Sequence, residues 1–262
     1  MPKQAVGTLV RDWRARRHRS QLDLALEVGV SARHLSFVET GRSTPSPELV
    51  LALAEGLDVP LRERNTLLLA AGYAPRYQET SLDDPAMAMM HAAIQRLLDA
   101  HDPYPGLVID RHWNVVLTNR AATALVAGLP VDLLGPPLNV YRVCLHPAGL
   151  ASRTRNFPAW ASYLLHQLRR SVVLTNDPSL AALQDEVNAY PNVAALASTQ
   201  GGPVWEDPPI LVPVELERSG AVVSLFTTLT TFGTPRDITL DELAVELFFP
   251  ADEATAELLR SS

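Results

Sequence analysis

The sequence has little cysteine and lacks several patterns that mark large classes of protein. Cys144 is the single cysteine among 262 residues, which excludes an internal disulfide and a four-cysteine zinc site. No stretch reaches the roughly eighteen apolar residues of a membrane-spanning helix, and the first residues lack the order of a secretory signal. We therefore expect a cytoplasmic protein that binds no membrane.

Catalytic and metal-binding motifs are also missing. The sequence contains no glycine-rich phosphate loop, no H-E-x-x-H and no calcium loop. Cys144 and His146 would share a face of a strand as nucleophile and base, but nothing near them supplies oxyanion donors. A metal site would need scattered histidines such as His112, His146 and His166. We predict no enzyme, no metal and no cofactor, and keep a fused enzyme as a distant alternative.

Acidic residues dominate the chain, which has a net charge of −7, but their distribution is uneven. Residues 1–78 hold 11 Lys and Arg against 8 Asp and Glu, so the whole acidic excess lies downstream. A basic run near the start can neutralise phosphates, or it can be a solvated helix face. Its members are Lys3, Arg11, Arg14, Arg16, Arg17 and Arg19.

Residues 1–75 show the pattern of five short helices. Val6, Leu9, Val10 and Trp13 form one apolar stripe of a first helix. Ser20, Ser31 and Ser46-Pro47 are start signals for the second, third and fourth helices, and the fifth spans residues 61–71. In the third helix, residues 32–39, Leu35 and Val38 face the core, which leaves Arg33, His34, Ser36 and Phe37 outward. This is the pattern of a DNA-recognition helix.

The stretch from Gln21 to Gly41 resembles the phage-repressor, xenobiotic-response-element type of helix-turn-helix. The resemblance rests on a glutamine at the start of the second helix, a small residue at Ala25, Gly29 in the turn, and Glu39 before Gly41. It implies phosphate contacts from Gln21, Arg42 and Ser43, and base contacts from the third helix. The base-facing candidates are Ser31, Ala32, Arg33, Ser36 and Phe37.

Individual roles within this motif differ. Arg33 is the best candidate for a base contact, although a long outward arginine can equally hold a phosphate. Phe37 occupies a position that is often polar in the family. It can touch a thymine methyl or pack internally, and we expect packing. Arg14 and Glu39 match positions that are ion-paired in the family, which implies a structural role. A five-helix domain that binds protein is the alternative for the whole segment.

Residues 76–86 have no apolar periodicity and predict a linker to a second domain, residues 87–262. Residues 107–118 predict a hairpin followed by a helix capped by Asn119, and Ile210–Leu216 and Ala221–Phe232 predict returning strands. Helical patterns cover residues 87–98, 160–170 and 179–189. The prediction is an all-α domain followed by an α+β, PAS-like domain with an antiparallel sheet.

Several short segments of this second domain resemble the ligand-binding domain of the MmyB-like regulators. They include Asp110-Arg-His-Trp113, Leu145-His-Pro, Thr231-Phe-Gly-Thr-Pro235 and Phe248-Phe-Pro. The resemblance implies a fatty-acid-like ligand. Arg142 and His146 can bind a carboxylate, although an ion-paired structural role is favoured for the arginine. Aromatic candidates for the pocket wall, which can instead fill the core, are Trp113, Tyr141, Trp160, Phe226 and Phe232.

These patterns predict a transcription regulator that binds double-stranded operator DNA and responds to a small apolar ligand. A homodimer is expected, because one such domain buries too little surface for tight specific binding. The alternative is a DNA-binding regulator whose second domain recognises a protein. An apolar cavity distinguishes the two, since a filled core favours the protein partner.

Overall fold

The structure is a computed structural model that describes residues 5–198, 211–218 and 220–261. The chain divides into two compact units, of which unit 1 comprises Met1–Ser81 with Gly233–Asp241. Unit 2 comprises Leu82–Phe232 with Glu242–Ser262. Lys3 of the basic run and Ile210 of a predicted strand lie outside the described residues.

Unit 1 contains the five predicted helices close to their predicted bounds. They are α1 (Val6–Arg16), α2 (Gln21–Glu27), α3 (Ala32–Glu39), α4 (Pro47–Gly56) and α5 (Leu61–Ala70). Ser20, Ser31 and Ser46 each accept a hydrogen bond from the backbone N–H three residues later, at 3.1, 3.1 and 3.3 Å. These caps satisfy amides that would otherwise have no partner. The buried core between the helices includes Val10, Leu24, Leu35, Val50, Leu53 and Leu67.

A close approach of α1 to the end of α3 depends on Gly7. A Cβ at this position would lie 2.1 Å from the carbonyl oxygen of Val38, so no larger residue fits without movement of backbone. The turn between α2 and α3 uses Gly29, whose φ of 73° lies in the left-handed region. Gly7 therefore permits the contact of α1 with α3, and Gly29 permits the turn between α2 and α3.

The residues expected to form a linker belong partly to unit 1. The carboxamide oxygen of Asn65 on α5 accepts hydrogen bonds from the backbone N–H groups of Arg76 and Tyr77, at 2.9 and 3.0 Å. Residues 233–241 join the same unit. The carboxylate of Asp241 accepts from the N–H of Leu61 at 2.9 Å, and that of Asp237 accepts from the Thr80 hydroxyl at 2.6 Å.

Unit 2 is built on one antiparallel sheet with strand order β2-β1-β5-β4-β3. The predicted hairpin is β1 (Gly106–Ile109) and β2 (Val115–Thr118). The returning strands are β3 (Val214–Arg218) and β4 (Ala221–Thr231). The central strand, β5 (Ala244–Pro250), was not identified from the sequence. The α+β class and the antiparallel sheet are confirmed.

Nine helices of the described residues follow α5. They are α6 (Ala88–His101), α7 (Arg120–Leu125), α8 (Val131–Leu134), α9 (Val140–Leu145), α10 (Phe157–Thr175), α11 (Pro178–Asn188), α12 (Pro191–Ser198), α13 (Ile238–Glu242) and α14 (Glu253–Arg260). Among the residues described, no helix is long and apolar enough to span a bilayer.

The two faces of the sheet carry separate apolar clusters. On one face Val108 and Val245 pack with Ile94 and Leu98 of α6. On the other face Val223 and Leu225 belong to a larger cluster with residues of α9, α10, α11 and α14. Alternate residues of each strand therefore enter different environments, and this alternation determines which side chains reach the cavity described below.

Candidate functional site

Unit 1 exposes a polar surface along α3 and the loop that follows it. We call this the α3 surface, and it consists of Ser31, Ala32, Arg33, Ser36, Phe37, Arg42 and Ser43. Arg33 and Arg42 are exposed, whereas Leu35 and Val38 on the opposite side of the helix are buried. The first turn of α3 carries no acidic residue. The N-terminal end of α3 can therefore approach a polyanion without like-charge repulsion from its own first turn.

Phe37 lies between two arginines. The guanidinium carbon of Arg33 is 5.3 Å from the centre of its ring, and that of Arg42 is 5.9 Å away. The ring is half-buried and stands outside the apolar core cluster of unit 1. Our expectation that Phe37 packs internally was wrong, because the cationic side chains cover the ring. Cation–π attraction holds both guanidinium groups on one side of α3.

The loop after α3 has a fixed conformation. The carbonyl oxygen of Phe37 accepts the backbone N–H groups of Arg42 and Ser43 at 2.8 and 3.1 Å, and Gly41 donates to Val38 at 3.1 Å. These bonds close the C-terminal end of α3 and position Arg42 relative to Arg33. Arg42 and Ser43, two of the three predicted phosphate-facing residues, therefore follow directly on the helix that carries the base-facing ones.

A buried carboxylate, Glu39, joins α1, α2 and α3. Arg14 donates two hydrogen bonds to it at 2.7 and 2.9 Å, and the amide of Gln21 donates a third at 2.7 Å. Burial raises the pKa of Glu39, but the hydrogen bonds from Arg14 and Gln21 outweigh it, so the pKa is lowered overall. The expected ion pair is confirmed. Gln21, expected at a phosphate, has one of its amide protons engaged within the protein.

Most arginines of the basic run have partners within unit 1. Arg17 donates to the carbonyl oxygens of Leu57 and Asp58 at 2.9 and 2.8 Å, where α4 ends. Arg19 is ion-paired with Glu27. Together with Arg14, these side chains support the helices. The charge run identified from the sequence is therefore mainly structural, and the exposed cations of the α3 surface lie elsewhere.

Unit 2 contains an apolar cavity of about 310 Å³ on the sheet face opposite α6. Its wall combines strand residues such as Leu107 and Val214 with residues of α7, α9 and α10. The polar side chains in the wall are few. The wall includes Trp113, Val143, Cys144, Trp160, Glu246 and Phe248. A cavity of this size and character suits a small apolar molecule.

Two of the predicted pocket aromatics line this cavity, Trp113 and Trp160. Trp113 has a φ of 64°, a strained conformation for a bulky residue, and its ring meets Tyr141 edge-on at 5.0 Å. Phe226 stacks on Phe249 at 5.6 Å, and Phe232 packs with the α6 cluster. Neither phenylalanine is in the cavity wall, because strand alternation places Phe226 on the other face of the sheet.

The polar pair predicted to bind a carboxylate is not in the cavity wall either. Arg142 makes two hydrogen bonds to Glu186, at 2.8 and 2.7 Å, which is the structural role favoured from the sequence. The ring of His146 meets Tyr190 at 5.0 Å, and its Nδ1 accepts from the N–H of Ala148. Tyr141 is fully buried behind Trp113. None of these three predicted residues lines the cavity.

Glu246 is the site residue that sequence reasoning missed. It lies on β5, is 6% exposed, and lines the cavity. Burial raises its pKa to about 7, against a smaller lowering by the Thr227 side chain. An acidic residue inside the apolar run Ala244-Val-Glu-Leu-Phe-Phe was the available signal. The position of Glu246 could be interpreted from the sequence only if β5 had first been identified as a buried strand.

Cys144 lines the same cavity, on α9 and not on a strand as considered from the sequence. Burial raises the pKa of its thiol to about 12, with a smaller contribution from Glu246, so the thiol stays protonated at neutral pH. In the part of the chain described here, no hydrogen bond joins it to His146. Nor do these residues include a group of three His, Cys, Asp or Glu side chains that could hold a metal ion.

Comparisons with known proteins find one family match in each of the two units. The family described as the MmyB-like transcription regulator ligand binding domain matches residues 90–261. A helix-turn-helix family matches residues 10–64, which include α2 and α3. No curated protein matches the chain.

Proposed function

The chain belongs to the MmyB-like transcription regulators, and on that premise we propose that an apolar ligand in the cavity controls the binding of the α3 surface to operator DNA. The observation that supports the DNA contact is the exposed pair Arg33 and Arg42 beside Phe37, with Arg33 in the first turn of α3 and Arg42 in the loop after it. Arginine is the side chain best suited to guanine edges and to phosphates.

The proposed division of roles follows from position. Arg33 lies in the first turn of α3, the part of a recognition helix that reaches base edges in the major groove. Arg42 and Ser43 lie in the loop after α3, where a phosphate contact fixes orientation without reading sequence. Arg33 therefore contributes to sequence preference, and Arg42 contributes affinity for any duplex.

The expected partners include a second copy of the chain. Two α3 surfaces about 34 Å apart reach successive major grooves, and together they bury enough surface for specific binding. We propose a cytoplasmic homodimer on an operator with two half-sites.

The cavity favours a small molecule over a protein partner as the signal. A ligand with an alkyl chain, resembling a fatty acid, would bury apolar surface against Trp113, Val143 and Trp160. Native mass spectrometry of the purified full chain, followed by organic extraction, tests this. A dimer with an extracted apolar molecule supports the proposal. A dimer without one, together with no binding of added alkyl compounds, favours the protein partner.

The DNA role is tested by selecting bound sequences from a random duplex pool with the full chain. Arg33→Ala should relax preference at one or two base positions, at a cost of about 1 to 3 kcal/mol in discrimination. Arg42→Ala should weaken binding to all sequences and reduce the salt slope by about one. Arg169→Ala, an exposed arginine on α10, is the matched control. An unchanged DNA sequence preference in Arg33→Ala would show that Arg33 makes no specific base contact.

A further inference from the structure

A second depression in unit 2 adjoins the apolar cavity. It has a volume of about 300 Å³, and we call it the arginine groove because Arg153 and Arg218 lie in its wall. Leu125, Leu150 and Leu216 line both the cavity and the groove. These three leucines form the boundary between an apolar space and a polar one. An elongated molecule that passes between them therefore has its chain in the cavity and its end in the groove.

The two arginines of the groove are held by elements that also line the cavity. Arg218 follows Leu216 by two residues on β3, so both side chains lie on the same face of the sheet. Arg153 ends a short 3₁₀ turn, and the next residue, Thr154, pairs with Leu216 in a β-bridge. The Arg153 side chain donates a hydrogen bond to the carbonyl oxygen of Ala127 at 3.2 Å. The backbone of both arginines is therefore fixed relative to the cavity wall.

The charges around the arginine groove favour an anion. Both arginines are half-buried, and neither is ion-paired with a carboxylate in the part of the chain described here. By contrast, Arg111 and Arg142 of the same unit are each paired with an acid. Glu217 is the one acidic residue among the described residues of the groove wall. A partly desolvated guanidinium binds a carboxylate or a phosphate well, because two parallel hydrogen bonds can form.

The space around these arginines is larger than a single carboxylate needs. The groove shares Ala124 and Arg218 with a further depression of about 230 Å³, to which Arg120 adds a third guanidinium. Arg120 is highly exposed and lies 3.9 Å from Asp102, so its attraction for an anion is screened by solvent. The groove therefore has room for a phosphate ester as well as for a carboxylate.

We propose that the arginine groove binds the anionic head, a carboxylate or a phosphate ester, of the same ligand whose apolar chain occupies the cavity. Arg153 and Arg218 are the residues that contact this head. The proposal rests on the proposed function, since it requires a ligand in the cavity. It gives Arg153 and Arg218 the role that the sequence suggested for Arg142 and His146, neither of which lines the cavity.

Three probes with the same alkyl chain test the proposal on the full-length protein. They are 1-decanol, decanoic acid and decyl phosphate, titrated at about pH 8 and followed by the fluorescence of Trp113 and Trp160 in the cavity wall. In the double variant Arg153→Gln, Arg218→Gln, affinity for at least one of the two anions should fall about tenfold or more. Affinity for 1-decanol, which has no charge, should change by less than about twofold.

Matched controls isolate the effect of the groove from that of overall charge. The double variant Arg169→Gln, Arg170→Gln removes the same charge from exposed positions on α10, and anion affinity should change by less than about twofold. Glu217→Gln removes the acid of the groove wall, so anion binding should strengthen about twofold to threefold. In the wild type, added salt should weaken binding of the anions and not of 1-decanol, a comparison that does not depend on the folding of any variant.

The outcomes separate this proposal from the broader one. A loss confined to decyl phosphate in the groove variant identifies a phosphate ester as the head, and a loss confined to decanoate identifies a carboxylate. If neither anion weakens, or if all three probes weaken equally, the groove does not bind the head and the cavity remains a ligand site. If no probe binds the wild type, the cavity ligand itself is wrong and this proposal fails with it.

Discussion

Two buried glutamates show how the same side chain acts differently in different surroundings. Glu39 has three charge-assisted or amide hydrogen bonds and a lowered pKa, so it stabilises the helices as a carboxylate. Glu246 lies in an apolar wall, and its pKa is raised to about 7. The first is structural, and the second is available to a ligand.

Arg14→Leu should destabilise unit 1 by about 3 kcal/mol, because it leaves the Glu39 carboxylate buried without its cation. Chemical unfolding of the full chain, followed by circular dichroism, measures the effect. Arg11→Leu, an exposed arginine on the same helix with only the smallest of the electrostatic effects on Glu39, should change stability by less than about 0.5 kcal/mol. Equal effects of the two substitutions would contradict the role given to the ion pair.

The Arg14–Glu39 ion pair also predicts how the stability of the protein changes in acid. The pKa of Glu39 is lowered from 4.5, so its stabilisation is complete above that pH and is lost as the pH falls through the folded-state value. The stability difference between wild type and Arg14→Leu should therefore shrink below about pH 4.5. If the stability difference between wild type and Arg14→Leu stays constant into strong acid, it arises from packing of the arginine and not from its charge.

Glu246 predicts the opposite pH dependence. Its pKa is raised from 4.5 to about 7, so the unfolded chain ionises first and the ligand-free protein loses stability as pH rises between these values. Tyr141 and Cys144 stay protonated throughout, because the pKa of each is raised. Above pH 7, Glu246→Gln should be more stable than wild type, by an upper limit of about 3 kcal/mol. Denaturant midpoints at about pH 4.5 and pH 8 measure this, and a lower midpoint for the variant at pH 8 would contradict it.

At the scale of elements, Phe37 links α3 and its loop by lying beside an arginine from each, on the surface proposed to contact DNA. Phe37→Leu keeps an apolar side chain but removes the ring on which Arg33 and Arg42 lie. DNA affinity should fall about threefold to tenfold with the fold unchanged. Leu69→Ala on α5, half-exposed and away from the α3 surface, serves as the control in the same binding assay. Undiminished affinity would show that the ring does not position the arginines.

Local signals explain why the helices of unit 1 were predictable. Serine caps, a proline at the start of α4 and apolar periodicity are encoded within a few residues. The roles of Arg17 and Glu246 were not predictable in the same way, because each depends on distant residues. The carbonyl partners of Arg17 lie about forty residues along the chain, and Glu246 enters the cavity only because β5 is the central strand. Only two of the five aromatics predicted for the pocket wall line the cavity, because their positions also depend on the sheet.

At the scale of the whole chain, one continuous segment runs from the sheet that lines the cavity into unit 1 and back to the sheet. The chain leaves the sheet after Thr231, contributes Gly233–Asp241 to unit 1, and re-enters the sheet at Ala244. Within unit 1 this segment supplies Asp241, which accepts the first N–H of α5. The next strand, β5, carries Glu246 and Phe248 of the cavity wall. A ligand that shifts β5 can therefore bias the unit that binds DNA, provided that it binds the two states with different affinity.

The most direct test of the account is the affinity of the full-length protein for its selected operator, with the cavity empty and with it saturated by 1-decanol. We predict a change in Kd of about fivefold or more, in either direction, because ligand and DNA binding are coupled. The quenching of the cavity tryptophans reports occupancy in the same sample, and Arg42→Ala should shift both affinities alike. An occupied cavity with an unchanged operator Kd would contradict the central claim that the ligand in unit 2 controls DNA binding by unit 1.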